Sequence, residues 1–334
     1  MNIAVVGAGY FAGLHHKAWA RLPDCVLVGI ADPNPDAQSP DDVSRFHSLA
    51  DMVSSTDIDV LDIVVPPSAH KMLIETAIAS GINRIICQKP FCASFAEAQE
   101  MAELAKQHHV SLVIHDNFRF QPWYRAIKEQ MATDRFGQIY QFRFALRPGD
   151  GQGKDAYLAR QPYFQIMPRF LVHETAIHFL DVFAYLFGAP QAVYADLRRL
   201  NPVIKGEDAG LIVLDYPDGL RVVFDGNRLV DHNAENHRLT MGEAELEAEK
   251  GTLRLAGDGA LYWRAHGSQI IEQLTPVDST GEFGGDCVYH LISHAINAWQ
   301  NNLVPENEIE EYLAVMALEE AVYNSAQSGI KQAL

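Results

Sequence analysis

The sequence predicts two unlike domains, an N-terminal α/β domain with a parallel sheet over residues 1–118 and a C-terminal α+β domain with a mostly antiparallel sheet over residues 119–334. Three observations predict it. Short β-branched runs alternate with helical patterns through the first third, as βαβ units require. Beyond Gly137 the hydrophobic period changes to two. The 334 residues give room for two domains at about 100–200 residues each. A composition of 48% hydrophobic and 21% charged residues is that of a soluble globular chain with a sizeable core.

Strands are expected at Ile3-Ala4-Val5-Val6, Val26–Ala31, Val60–Val65, Ile82–Cys87 and Ser111–His115, with helices over 10–21, 68–80 and 95–108 between them. Ser94-Phe95-Ala96-Glu97 is a capping box that opens the last of these helices. The domain boundary falls near 117–122, where Pro122 starts a new helix after Gln121. In the next strand Tyr140, Phe142, Phe144 and Leu146 share one face, with Gln141, Arg143, Ala145 and Arg147 on the other. That apolar face is either the domain's own core or a surface covered by a second copy in a homodimer or homotetramer. Further strands are expected at 191–200, 209–216, 220–225, 237–249, 251–256 and 260–273, turned at Pro217-Asp218-Gly219 and Asp258-Gly259. Glu243, Glu245, Glu247 and Glu249 alternate with Ala244, Leu246 and Ala248, so the period of two overrides the helix propensity of Ala and Glu. Helices over 286–302 and 307–328 close the chain.

With 26 Lys and Arg against 43 Asp and Glu, the formal charge of −17 argues against nucleic acid as a partner. Four cysteines, Cys25, Cys87, Cys92 and Cys287, lie mostly in apolar runs, where buried free thiols are usual, and point to a reducing, cytoplasmic compartment. Met1 is followed at once by a strand and a glycine loop, so no export signal is expected. The longest apolar stretch, Phe170 to Phe187, carries His173, Glu174, His178 and Asp181, groups too polar for a bilayer span. It is expected to be a buried functional helix.

Gly7-Ala8-Gly9-Tyr10-Phe11-Ala12 follows the first strand and opens a helix, matching G-x-G-x-x-G/A in the context that gives it meaning. Glycine permits the tight turn and lets backbone approach a pyrophosphate, whose charge the helix N-terminus holds; the alternative is a tight turn without ligand. Asp32 closes the second strand 20 residues after Ala12. Its carboxylate suits an adenosine ribose diol and repels a 2′-phosphate, which favours NAD over NADP. Lys89, in Gln88-Lys89-Pro90, stands at the carboxyl end of a buried strand, where ligands bind in open α/β sheets. It is either a crevice lysine able to hydrogen-bond a reacting hydroxyl or a solvated loop lysine. Pro90 permits a cis bond there.

Glu174, His178 and Asp181 recur at i, i+4 and i+7, within roughly 60° of one another on a regular helix. That stripe suits a carboxylate orienting an imidazole for proton transfer, or a buried hydrogen-bonded network. Zinc is excluded by spacing. His173 and His178 are five residues apart, about 140° around a helix, whereas the zinc motif H-E-x-x-H needs i and i+4.

Taken in order, these motifs resemble the Gfo/Idh/MocA family, named for glucose-fructose oxidoreductase and inositol dehydrogenase, over essentially the whole chain. The family's phosphate loop is similar to Gly7–Ala12, its loop after the third strand to Val65-Pro66-Pro67-Ser68-Ala69-His70, its E-K-P to Gln88-Lys89-Pro90, its N-x-R to Asn117-Phe118-Arg119, and its D-x-G-x-H-x-x-D helix to Glu174–Asp181. The resemblance implies a Rossmann domain, a sheet domain that also makes oligomer contacts, and hydride transfer between a nicotinamide cofactor and a sugar or polyol. It implies cofactor contacts from Gly7, Gly9, Tyr10, Phe11, Ala12, Asp32, Pro66, Pro67, His70, Gln88, Lys89 and Asn117, and substrate contacts from Lys89, Arg119, Tyr163, Arg169, Glu174 and His178. Lys89 would contact the reacting oxygen, His178 would be the acid/base, Glu174 would stand for the family aspartate, and no metal is implied.

Three departures stand out. Gln88 replaces a glutamate, so Lys89 lacks an adjacent negative charge; Glu174 is one methylene longer than aspartate; and Met167-Pro168-Arg169 replaces a glycine pair. The tract from Gln161-Pro162-Tyr163-Phe164 through Arg169-Phe170-Leu171-Val172-His173-Glu174 is most similar to NAD-dependent aldose dehydrogenases of the D-apiose type. The resulting expectation is oxidation of an aldose C1 hydroxyl to a lactone. The same chemistry run backward is a carbonyl-sugar reductase, and a non-catalytic sugar or dinucleotide sensor is the rival from another class.

Overall fold

A computed structural model describes residues 1–37, 40 and 42–334, and the chain folds into two units. The first comprises Met1–Asn117 with Val288–Ala314, the second Phe118–Cys287 with Val315–Leu334.

The first unit alternates strand and helix: β1 (Asn2–Val6), α1 (Ala12–Trp19), β2 (Val26–Ala31), β3 (Ser44–Phe46), α2 (Leu49–Val53), β4 (Val60–Ile63), α3 (His70–Ala79), β5 (Arg84–Gln88), α4 (Phe95–Gln107) and β6 (Ser111–His115). All pairings in its sheet are parallel, in the order β3-β2-β1-β4-β5-β6. This is the Rossmann order, with its reversal between β1 and β4. Ile3, Val5, Leu61, Ile63, Ile85, Ile86, Leu112 and Ile114 are fully buried, as strands covered on both faces demand. The β3–α2 segment was not anticipated: its strand is short and lies at the sheet edge, leaving little hydrophobic pattern to detect, although Ser48 Oγ caps α2 by accepting from Asp51 N at 3.2 Å. α1 starts at Ala12 rather than residue 10, because Gly7 to Phe11 are spent on the turn.

Residues 288–314 belong with this first unit, which differs from the expected division at 118/119. Buried polar groups hold them there. Trp299 Nε1 donates to Ser111 Oγ at 2.8 Å, Ile114 N to the Asn307 carbonyl at 2.8 Å, and Tyr312 Oη to Asp116 Oδ2 at 2.9 Å.

The second unit opens with α5 (Pro122–Met131) and β7 (Ile139–Leu146) and continues through α6 (Ile177–Phe187), β8 (Ala192–Arg198), β9 (Ala209–Asp215), β10 (Arg221–Asn227), β11 (Gly242–Ala248), β12 (Gly251–Leu255), β13 (Leu261–Ala265) and β14 (Glu272–Gln273). After α7 (Cys287–Gln300) and α8 (Ile309–Ser328), β15 (Gln332–Ala333) completes a nine-stranded sheet ordered β14-β13-β12-β11-β7-β10-β9-β8-β15. Among the described residues of this sheet, only β7 and β10 pair in parallel.

Phe142, Phe144 and Leu146 are buried in this unit's own core. Phe144 stacks on Phe179 of α6 at 4.0 Å between centroids, and Phe179 meets Phe224 of β10 at 5.4 Å. Of the two alternatives for this face, the core is therefore the one realised, with Tyr140 left 49% exposed at its end. In β11 Ala244 and Leu246 point in and Glu245 and Glu247 point out, as the alternation predicts. The expected strand over 260–273 is instead two short strands, interrupted where Ser268 closes a turn on Ala265. All four cysteines are free thiols, with Cys87, Cys92 and Cys287 buried. No helix among the described residues is long and apolar enough to cross a membrane.

Candidate active site

The first unit builds its site where β1 and β4 end side by side. Gly7 N donates to the Ala31 carbonyl at 2.8 Å and has φ of +106°, and a Cβ there would lie 2.1 Å from the Val64 carbonyl oxygen. Only glycine fits that position. Gly9 differs: a Cβ built on it meets nothing within 4 Å. α1 begins with no side-chain cap and no acidic residue in its first turn, so no side chain opposes its positive end. Open space over glycine backbone at such a terminus fits a dinucleotide pyrophosphate. Tyr10, 72% exposed, stands at the rim.

Asp32 is half-buried. Its Oδ2 accepts from Ala8 N at 2.8 Å and its Oδ1 from Asn34 N at 2.9 Å, which aims the carboxylate at the glycine loop and leaves each oxygen a further lone pair for ribose hydroxyls. The loop after β4 runs beside Gly7, with Pro66 exposed and Pro67 half-buried. Its anchor is His70. That ring is fully buried, with Nε2 donating to the Val65 carbonyl at 2.9 Å and Nδ1 accepting from Cys92 N at 3.3 Å. Both ring nitrogens are thus spent on backbone, and His70 shapes the cofactor loop rather than offering it a hydrogen bond. Burial lowers its pKa from 6.5 to about 4, against the opposing effect of the Val65 bond. The Lys89–Pro90 bond is cis. Lys89 N donates to Gln88 Oε1 at 2.8 Å, so the residue-88 side chain serves the backbone of Lys89. Asn117 is buried, and its Nδ2 has no hydrogen-bond partner.

In the second unit a wider, π-type turn over Leu171–Ala176 precedes α6, so the angular ruler of a regular helix fails between Glu174 and His178. The three polar residues of this segment make separate contacts. Asp181, fully buried, takes Nε and Nη2 of buried Arg119 at 2.9 and 2.5 Å. Arg119, an expected substrate contact, ties its segment to α6 through this pair, as a buried guanidinium requires a paired carboxylate. His178 lies flat on Phe118, with centroids 4.0 Å apart and planes 9° apart, which sets the plane of its ring. Glu174 Oε2 accepts from Thr175 Oγ1 at 2.8 Å, and that hydroxyl accepts from Arg228 Nη1 at 2.6 Å.

Arg228 is the centre of this cluster, and sequence reasoning missed it. It gives Nε and Nη2 to Asp150 at 3.2 and 2.8 Å and Nε also to Tyr157 Oη at 2.9 Å, inside a wall of Tyr157, Phe164 and Phe170. Burial opposes its charge, but the carboxylates of Asp150 and Glu174 outweigh burial and hold it above the ordinary arginine range. Its partner Asp150 is 78 positions away in sequence, so no local pattern marks the pair.

The segment before α6 is held from α8 and from Glu207. Glu207 Oε1 accepts from Phe170 N and Val172 N, each at 3.1 Å, and from Tyr323 Oη at 2.7 Å. His173 pairs with Glu319 at 2.7 Å, and Arg169 forms an ion pair with Glu320 above the Tyr323 ring. Arg169, another expected substrate contact, thus meets α8 while its side chain stays 44% exposed. Tyr163 is 51% exposed, with its hydroxyl accepting from Gln161 Nε2 at 3.2 Å.

The two glycines separate fold from ligand. Gly7→Ala is expected to lower the melting temperature. Gly9→Ala should melt like wild type while weakening NADH binding about tenfold, a loss of about 1.4 kcal/mol, measured by nicotinamide fluorescence; undiminished binding would remove Gly9 from the cofactor site. His70 makes stability pH-dependent. Its folded pKa lies below 6.5, so its contribution is complete above about pH 6.5 and is lost as pH falls toward 4. That interval corresponds to about 3 kcal/mol. Urea unfolding from pH 4 to 7 should show this component in wild type and not in His70→Gln.

Comparison with known proteins follows the same division. Residues 1–115 match the oxidoreductase family with an NAD-binding Rossmann fold, Gfo/Idh/MocA, and residues 124–254 match the C-terminal domain of that family. A D-apiose dehydrogenase of Paraburkholderia graminis is 28% identical over 98% of this chain and 88% of its own, and one of Rhizobium rhizogenes is 27% identical over 98% and 95%. The crystal structure of an oxidoreductase from Agrobacterium radiobacter in complex with NAD+, L-tartaric acid and magnesium shares the fold, with a TM-score of 0.88 and 24% identity, covering 100% of this chain and 98% of that one. With a glycine loop shaped for a dinucleotide and both domains matched in order, the chain belongs to the Gfo/Idh/MocA oxidoreductase family and has its NAD-binding Rossmann fold.

Proposed function

We propose that this protein is an NAD-dependent sugar dehydrogenase that oxidises the C1 hydroxyl of an aldose to a lactone. The observation that carries the reading is the likeness to two D-apiose dehydrogenases across 98% of the chain. The presence of Lys89, Glu174 and His178, residue types able to bind and deprotonate a sugar hydroxyl, supports it.

NAD, when bound, would supply the hydride acceptor for C1. The backbone of Gly7–Ala12 and the N-terminus of α1 would hold its pyrophosphate, and Asp32 would take the ribose diol while disfavouring a 2′-phosphate. Lys89 donates a hydrogen bond to the reacting oxygen. His178 takes the hydroxyl proton, its ring plane set by Phe118. As the C–H electron pair departs, the C1–O bond becomes a carbonyl, and the displaced proton is the one His178 holds. Glu174, oriented through Thr175 and Arg228, accepts a hydrogen bond from a sugar hydroxyl, and Tyr163 contributes an exposed aromatic edge to the substrate tract. Arg119 and Arg169 act through Asp181 and Glu320 as supports.

We also propose a cytoplasmic homodimer or homotetramer. The sheet face opposite α6 carries Tyr194, Val213 and Val223 side by side in register, with Leu211 two residues along β9 between Asp196 and Asp225; Tyr194 is 37% and Leu211 39% exposed, and a second copy would cover this face.

NADH formation measured across aldoses and polyols, D-apiose included, is expected to pick out an aldose. Lys89→Ala should lower turnover about a hundredfold or more while NAD still binds. Silence across the panel despite NAD binding would turn the reading toward a reductase or a sensor. Light scattering should give a multiple of the 37.2 kDa chain mass; a purely monomeric species would dispose of the oligomer.

A further inference from the structure

Beneath the glycine loop a buried polar chain crosses four elements of the first unit. Because Gln88 Oε1 accepts the Lys89 N–H, its amide nitrogen is the end that faces inward. There Nε2 lies 3.1 Å from His15 Nε2 and 3.4 Å from His115 Nδ1. His15 Nδ1 lies 2.8 Å from Asp62 Oδ2, which also accepts from Trp19 Nε1 at 2.7 Å. His15 and Asp62 are completely buried, His115 is 1% exposed and Gln88 8%.

The donors settle where the protons sit. An amide nitrogen has two hydrogens and accepts nothing, so both imidazole nitrogens facing it present lone pairs. His15 then carries its proton on Nδ1 and donates it to Asp62. The two imidazoles stand 4.2 Å apart, and Phe11 of the glycine loop packs edge-on against both. One cluster therefore touches the phosphate loop through Phe11 and the backbone of Lys89 through Gln88. A carboxylate at 88 has no hydrogen for either ring and would be tolerated only with an added proton on one of them. The titratable groups set against the pair are Asp62 on β4 and His16 on α1.

We propose that His15 and His115 are positioning residues for the dehydrogenase: as neutral rings they hold the Gln88 amide, and through it the backbone of Lys89. This explains why residue 88 is an amide here, where a glutamate would otherwise supply charge. The inference rests on the role of Lys89 proposed above.

The test uses the full-length protein. Imidazole 15N shifts of the cofactor-free enzyme should report His15 as the neutral Nδ1–H tautomer at pH 7; an imidazolium there overturns the proposal. Gln88→Glu should lower kcat at pH 8 by about ten- to a hundredfold, with KM for NAD little changed, and recover as the pH is lowered. The sign follows from linkage. An imidazole gaining a carboxylate partner has a raised folded pKa, so the variant's melting temperature relative to wild type should fall as pH rises from 6 to 9. Gln88→Glu combined with His15→Gln, which restores an N–H facing the carboxylate, should regain kcat and lose the pH slope. A Gln88→Glu enzyme indistinguishable from wild type in melting and kcat would refute the arrangement. If the shifts and melting behave as stated while Lys89→Ala keeps its turnover, the cluster stands and the assignment of Lys89 falls.

Discussion

The close approach of Gly7 to the Val64 carbonyl is the constraint from which the first unit's site develops. Gly7 N donates to Ala31 and Val64 N to Val6, each at 2.8 Å, so β2, β1 and β4 are clamped together at their carboxyl ends. A side chain at residue 7 would push those strands apart. With them held, the chain must turn sharply, and α1 starts with its N-terminus over open space. The same turn sends Phe11 and His15 down toward β4, β5 and β6, where Asp62, Gln88 and His115 meet them. The cofactor loop and the lysine loop are therefore one mechanical object, and His70 secures its third side by spending both nitrogens on backbone.

The second unit solves a different problem, that of keeping charge inside an aromatic core. Arg119 with Asp181 is a buried ion pair and Arg228 with Asp150 one whose guanidinium is buried and whose carboxylate is partly exposed; such pairs contribute little net stability when formed but are costly to break. What they supply is orientation. A bidentate guanidinium fixes its partner's plane, and Thr175 transmits the position of Arg228 to Glu174. These residues lie on or beside the wider turn at Leu171–Ala176, whose first backbone donors Glu207 satisfies.

The sequence by itself determined the strands that carry continuous apolar runs, the glycine turn with Asp32 behind it, the alternation that makes β11 a strand, and the presence of Lys89, Glu174 and His178. Each of these is a local matter, a steric demand of one residue or a period along a few. The partners of buried polar residues, Asp62 in the strand from Val60 among them, are not local matters. Asp62 meets His15 across 47 positions, Arg228 meets Asp150 across 78 and His173 meets Glu319 across 146. The return of residues 288–314 to the first unit was hidden for the same reason, since a helix pattern states which face is apolar and not what will cover it. Tertiary structure alone decided that Asp181 is the partner of Arg119, because burying a charge forces it to find its opposite, and which opposite is near depends on how the whole chain packs.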